Sequence, residues 1–381
     1  VKPIFLRTLS DLRFDRNEFA GAFGDIGTDL PLLIGVILAA KLDVSSTLVV
    51  FGGMQILTAL FYQMPMPVQP LKAMSALVIA QKIDGEILFG AGLAIGIVML
   101  LLSLSGALLW LSRAIPKAVV RGIQFGLGLQ LSLLALKEYV PSEGVLGYAL
   151  AAVGFAITLF LLGNRKYPAS LFVIALGVCY ALVFHSDILL QNQWIAAISL
   201  PKFFIPTWET LASGFLLLTL PQIPLSISNS ILATKQTAID LFPEKNLSFK
   251  QIGLTYSAMN LISTFFSGVP VCHGSGGMVG HYTFGGRTGG SVVIYGLLYL
   301  VMGLFFASGF EQLVKLFPLP ILGVILFFEG LSLIKLSGDL LSERKDFFVA
   351  ILTGVLAAGV PYGYVIGVVI GTLVWRFRQE T

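Results

Sequence analysis

Pro65-Met66-Pro67-Val68-Gln69-Pro70-Leu71-Lys72-Ala73-Met74-Ser75-Ala76 interrupts a long apolar stretch with three prolines in six residues. Proline lacks the backbone N–H and clashes with the preceding turn, so this run cannot be regular helix throughout. The residues predict an extended lead followed by a helix that begins near Pro70. A second interruption lies two hundred residues on, at Pro270-Val271-Cys272-His273-Gly274-Ser275-Gly276-Gly277-Met278-Val279-Gly280-His281. Two broken segments in corresponding places of two halves predict the architecture that surrounds them.

That surrounding is apolar. Of 381 residues 56% are hydrophobic and 12% charged, with a mean hydropathy of +0.90. This is about half the charge of an ordinary soluble domain, so the chain belongs in a lipid bilayer and has little left for a soluble module. The segment to Asn17 is the sizeable polar arm, with Lys2, Arg7, Arg13 and Arg16. It has no apolar core followed by a small-residue cleavage site and is not read as a signal peptide. Cys179 and Cys272 sit in apolar or Gly-rich stretches, where a structural disulfide has no evident role. The pI near 9.0 reflects loop bias on one membrane face rather than affinity for nucleic acid.

Apolar runs give spans near 18–40, 44–62, 86–112, 116–137, 145–163 and 168–185, with the Pro-broken Met64–Gln81 between the second and third. The second half gives 208–233, 249–267, 290–309, 318–337, 344–360 and 361–377, with the Gly-broken Val271–Phe284. The expectation is an all-α membrane protein of fourteen segments, seven per half, the third of each seven short and preceded by an extended stretch. Residues 1–17 form the arm, 18–200 the first repeat and 201–381 the second.

Charge tests the count. With a cytoplasmic N-terminus, 18 of the 24 Lys and Arg fall in inner loops, five (Lys41, Lys82, Lys137, Lys202, Lys315) in outer loops and Lys72 in the membrane. That is the positive-inside bias, with both termini cytoplasmic, as in a cell (inner) membrane. Seven spans per half also means that the halves run in opposite directions, the plan of many secondary transporters. Similarity between the halves is weak but falls in matching places: Met66–Pro70 with Val269–His273, Asp29-Leu30-Pro31-Leu32 with Gln222-Ile223-Pro224-Leu225, and Ile115-Pro116 with Leu319-Pro320.

Polar residues inside a membrane are costly and point to function. The first span carries Asp25, Thr28 and Asp29 among glycines before Pro31. The third starts a half-helix, whose N-terminus carries partial positive charge suited to an anion. Gln69 and Lys72 are there, and Lys72 either serves the anion, snorkels to an interface or pairs with Asp25 or Asp29 as a structural bridge. In the tenth, Gly274, Gly276 and Gly277 around Ser275 leave backbone N–H groups open as an anion nest, with His273 beside them as a donor or structural residue. Cys272 and His273 alone do not make a metal set. Gln222, Ser226, Ser228, Asn229 and Ser230 give the eighth span a neutral polar stripe. Glu329 and Arg121 read as structural residues of a gate or cytoplasmic rim.

At Gly24-Asp25-Ile26-Gly27-Thr28, Gln69-Pro70-Leu71-Lys72-Ala73, Cys272-His273-Gly274-Ser275-Gly276-Gly277, Gly285-Gly286-Arg287-Thr288-Gly289 and Ile115-Pro116 to Gln130, the chain resembles the prokaryotic and plant molybdate transporter family. That family is related to the SulP sulfate permeases and, more distantly, to the uracil permeases. The resemblance spans essentially the whole chain. It implies a seven-plus-seven inverted repeat with a core domain (segments 1–4 and 8–11) and a gate domain (5–7 and 12–14). In that fold the ligand sits between the starts of segments 3 and 10, flanked by 1 and 8. The chain ends at Thr381, a few residues after the last span, without the C-terminal soluble domain of full-length SulP proteins, which favours the molybdate branch.

The expected activity is transport of molybdate or the similarly shaped sulfate by core-against-gate movement; a channel of the same fold is the alternative. Nucleobase transport is disfavoured because Gln222 stands where a carboxylate is expected. No nucleophile–base pair points to an enzyme. The substrate-binding set is Thr28, Gln69, Lys72, Gln222, His273, Gly274, Ser275, Gly276 and Gly277, with Asp25 and Asp29 as coupling or structural charges and no metal or cofactor. Expected partners are the oxyanion, the bilayer, a coupling proton and a second copy in a homodimer.

Overall fold

The computed structural model describes residues 12–108, 110, 115–162, 169–184 and 198–377. Residues 1–11 of the arm, and Arg113, Arg165, Lys166 and Arg378 of the charge map, lie outside them. The first half contains α1 (Arg16–Gly21), α2 (Ile26–Ala40), α3 (Val44–Tyr62), β1 (Val68–Pro70), α4 (Lys72–Gln81), α5 (Gly85–Ser105), α6 (Lys117–Leu134), α7 (Gly144–Phe160) and α8 (Ala169–Phe184). In the second half α9 runs over Trp208–Leu241 through two π-helical stretches. It is followed by α10 (Phe249–Phe265), β2 (Val271–His273), α11 (Ser275–Thr283), α12 (Gly290–Phe305), α13 (Ala307–Leu316), α14 (Leu319–Lys335), α15 (Arg344–Gly359) and α16 (Gly363–Phe377).

Among the described residues five helical runs are long and apolar enough to cross a membrane: α3, α5, Lys117–Phe160, α9 and Leu319–Leu340. α12 and α13 make a sixth if joined, though they meet at a 98° bend. The expected straight segment 290–309 therefore turns sharply at Phe306. The run from Lys117 to Phe160 has 44 residues, roughly 66 Å at helical rise and twice a bilayer core. It is interrupted at Gly144, whose φ of +61° leaves the right-handed region. The expected first span also divides, into α1 and α2, at Gly24. A side chain on Gly24 would run into the backbone of Gly280 and His281, so the lead into α2 lies directly on α11.

The exterior is strongly apolar, and the largely apolar interior also holds polar and charged side chains. Phe160 and Val183 are 90% and 70% exposed, whereas Asp25, Asp29, Gln55, Gln222 and Asn260 are buried. Such a surface suits lipid, where each buried polar group must find a partner inside the protein. The helices sort into two packing groups. α3 lies along α12 and α5 along α10 and α9; separately, α6 packs with α14 and α15, and α15 with α16. This is a multi-span all-α membrane fold with a core-like and a gate-like group.

The two strands pair antiparallel, with Val68 opposite His273, Gln69 opposite Cys272 and Pro70 opposite Val271. Each is held by a side-chain amide from its own half. Gln55 accepts from Val68 N and donates to Val68 O, both at 2.7 Å. Asn260 does the same for Val271, at 2.9 and 2.7 Å. These clamps satisfy backbone groups that no neighbouring strand reaches. Pairing also keeps Pro70 extended, so α4 starts at Lys72, two residues later than expected.

Candidate functional site

Both short helices leave the strand pair at the middle of the protein, and both begin at one cavity. It encloses about 430 Å³, and its lining includes Thr28 of α2, Gln69 and Lys72, Gln222, Asn229 and Ser230 of α9, and Cys272, His273, Gly274, Ser275 and Gly276. It continues along α14 past Glu329 to Ser332, Leu333 and Leu336. Thus eight of the nine residues expected to bind substrate meet here, with Gly277 set behind them. Asp25 and Asp29 do not line it.

The two helix starts differ. At α4 the expected open N–H groups are already taken, because Gln222 Oε1 accepts from Ala73 N at 3.0 Å and Met74 N at 3.1 Å. Gln222 donates in turn to Ser226 Oγ, which hydrogen-bonds the Tyr256 hydroxyl at 2.7 Å. Gln222 is therefore a cap on α4, and the reading of α4 as a bare anion-binding end is corrected. The charge there comes from Lys72, which reaches Glu329 Oε1 at 3.0 Å instead of Asp25 or Asp29.

At α11 the N-cap residue is Gly274, which has no side chain to cap the helix, and among the described residues no side chain accepts from its first N–H groups. A Cβ on Gly276 would meet open space, so its backbone faces the cavity unshielded. Gly274 and Gly277 have no such room: a side chain on the first would strike Gln69, and on the second the Asp25 carboxyl and Pro67. Only one of the three nest glycines is thus open to a ligand; the other two allow close packing. His273 is held by its ring, with Nε2 2.7 Å from Thr255 Oγ1 and the face of Tyr62 5.3 Å away.

Behind the cavity Gln69 Nε2 donates to both oxygens of Asp25, at 2.8 and 2.7 Å. This commits the Gln69 amide donor to a carboxylate, although the residue also lines the cavity. Asp25 and Asp29 meet side chain to side chain. Asp29 also accepts from the Tyr295 hydroxyl at 3.3 Å, and Tyr295 contacts Tyr299. Arg121 stays away from the cavity, bound to Asp339 at 2.7 Å. Among the described residues no group of three or more His, Cys, Asp or Glu side chains could hold a metal.

Sequence reasoning missed three positions. Gln55 and Asn260 look like helix-interior amides, and only the structure reveals the backbone they hold. Glu18 borders the polar arm yet is 1% exposed, accepting from the backbone N–H of Arg287, Thr288 and Ser291 at 2.8–2.9 Å. It is the internal anion that the Gly285–Gly289 motif enfolds. Glu329, expected as a structural residue of a gate or rim, is the sole acid within α14 and lines the cavity.

A family profile described as "Molybdate transporter of MFS superfamily" matches residues 17–131 and 214–333, more than half of the chain. Molybdate transporter 2 of Arabidopsis thaliana is 33% identical over 93% of this chain and 86% of its own length. Molybdate transporter 1 of the same plant is 30% identical over 97% and 90%, and Molybdate transporter 1 of Chlamydomonas reinhardtii 25% over 93% and 90%. In fold the chain is similar to the transmembrane domain of a cyanobacterium bicarbonate transporter, BicA (TM-score 0.67, 19% identity, 94% and 96% of the two chains). It is also similar to the murine Solute Carrier 26 family member A9 anion transporter (TM-score 0.71, 14% identity, 99% and 70%). On the family match and these identities, the chain belongs to the molybdate-transporter family, with a fold shared with the SulP and solute carrier 26 anion transporters.

Proposed function

We propose that this protein is a secondary transporter of a tetrahedral oxyanion, molybdate first, bound between Lys72 and the uncapped start of α11. One observation carries the reading: a single cavity brings a lysine ammonium and an open helix N-terminus together inside an apolar membrane fold. A dianion leaving water loses a large hydration energy and needs several aimed donors. Lys72 supplies a whole charge. The N–H groups of Ser275 and Gly276 add partial charges, and Thr28, Asn229 and Ser275 side chains complete the shell.

The same reading takes the chain as fourteen segments in a seven-plus-seven inverted repeat, 18–200 and 201–381, with both termini cytoplasmic in a cell membrane. The Gln55 and Asn260 clamps support it, since each half uses one amide at one place on one strand. Movement of α14 and its neighbours against the strand-bearing group would expose the cavity to each side in turn. A proton is the proposed coupling ion, because two carboxyls side by side in a buried site, Asp25 and Asp29, are a natural place to carry one. Replacing both with Asn should abolish the pH dependence of uptake, and an unchanged pH profile would rule the role out.

The deciding experiment is uptake of molybdate into proteoliposomes with sulfate as competitor. Saturable uptake that resists excess sulfate is expected. Uptake linear in concentration would make the protein a channel, and equal competition by sulfate would make it a general oxyanion carrier.

A further inference from the structure

Among the described residues Lys72 and Glu329 are the only oppositely charged side chains lining the cavity, and they are bonded to each other. They come from different packing groups: Lys72 starts α4 beside the strands, and Glu329 lies on α14, which packs chiefly on α6. The pair is neither sealed in nor fully wet, with side-chain exposures of 34% and 23%. A partly exposed ion pair of this kind adds little net stability. It is therefore easily exchanged.

We propose that Glu329 is a built-in competitor of the substrate, filling the place of the oxyanion on Lys72 while the cavity is empty. The inference rests on the transport reading above. A carboxylate presents two oxygens and one charge, and its tether to α14 keeps it on the lysine side of the cavity. A tetrahedral dianion brings twice the charge and enough oxygens to meet Lys72 and the α11 N–H groups together. It therefore displaces Glu329 where a weaker ligand does not. Once displaced, Glu329 is a like charge beside the dianion, and their repulsion pushes α14 away from the strand-bearing group. Substrate binding and release of the gate-like helices are thereby one event, and Glu329 sets the threshold that an anion must exceed.

The test uses the purified full chain. Glu329→Gln keeps size and polarity but frees Lys72, so molybdate should bind more tightly, by roughly tenfold for one charged hydrogen bond no longer broken. Transport turnover should fall at the same time, since the repulsion that moves α14 is gone. A structural tie would give the opposite split, with lower thermal stability and affinity unchanged or weaker, and that result would overturn the proposal. A measurement on the unmutated protein guards against a variant that does not fold. Zero-length carbodiimide coupling should join Lys72 to Glu329 in the ligand-free protein, and saturating molybdate should suppress the link. A cross-link undiminished by bound molybdate overturns the competition while leaving the transport reading intact. Failure of the wild-type protein to bind molybdate or sulfate at all overturns the transport reading itself.

Discussion

The start of α4 and the start of α11 occupy matching places in the two halves, follow paired strands and open on one cavity, yet they present opposite chemistry. α4 offers a side-chain charge on a capped backbone: Lys72 projects while Gln222 covers Ala73 N and Met74 N. α11 offers backbone alone, uncapped and bared by Gly276. A symmetric pair of bare helix ends would bind an anion without orienting it. Here one end sets charge and the other sets shape, and an ion must satisfy both.

The comparison breaks most visibly at Lys72. Lys72→Met removes the single full positive charge in the cavity and leaves Glu329 facing the ligand without a partner. Molybdate affinity should drop by at least roughly 10- to 150-fold, the worth of one charged hydrogen bond. Titration of the purified variant, with thermal unfolding to check that it is assembled, measures this. Unchanged affinity would mean that α11 alone holds the ion and that Lys72 serves only as a tie to Glu329.

A second substitution tests the other end. Gly276→Val adds bulk where nothing lies within 4 Å, so the fold should persist while the side chain blocks approach to the backbone. Binding should be lost at wild-type thermal stability. Gly277→Ala should do the reverse first, lowering stability because its methyl meets Asp25 and Pro67. Equal behaviour of the two variants would show that the cavity does not end at Gly276.

This difference between neighbouring glycines marks how far sequence alone reaches. Interruption by Pro65, Pro67 and Pro70 and by the Gly274–Gly277 cluster was enough to point to the two helix starts at the cavity, because proline and glycine act on the backbone locally. The direction of each glycine was not legible, since it depends on Asp25 and Gln69, more than 200 residues away in the chain. Glu329 and Lys72 are likewise 257 residues apart. The bend at Phe306 escapes a hydropathy reading because apolar composition continues across it, and the break at Gly24 because its polar stretch reads as lying within one span. Gln222 is expected at the cavity and lines it, but its bonds to α4 were not legible, because an amide can donate or accept and only its neighbours decide which.

Ser275→Ala should have a modest effect. The hydroxyl is one neutral donor, and the Ser275 N–H stays in place without it. A loss of about 0.5–1.5 kcal/mol, or roughly two- to twelvefold in affinity, is expected. A much larger loss would mean that the hydroxyl, rather than the helix end, is the principal group at α11.

The smallest effect on affinity should come from Gln222→Ala, and it sharpens the contrast most. If Gln222 caps α4, removing it exposes Ala73 N and Met74 N to the cavity and takes a partner from Ser226. Loss of a cap costs about 1 kcal/mol of stability, so the melting temperature should fall. Affinity for molybdate should stay within about threefold of wild type, because two newly open N–H groups can face the anion in place of the amide donor. The variant would make α4 resemble α11 by giving both helices bare ends. Its selectivity should then decline even as its affinity holds, with sulfate competing better than before, since the capped end no longer restricts where the ion sits. A large loss of molybdate affinity with stability unchanged would instead make Gln222 a direct ligand, and the asymmetry between the two helix starts would lie in the substrate shell rather than in the caps.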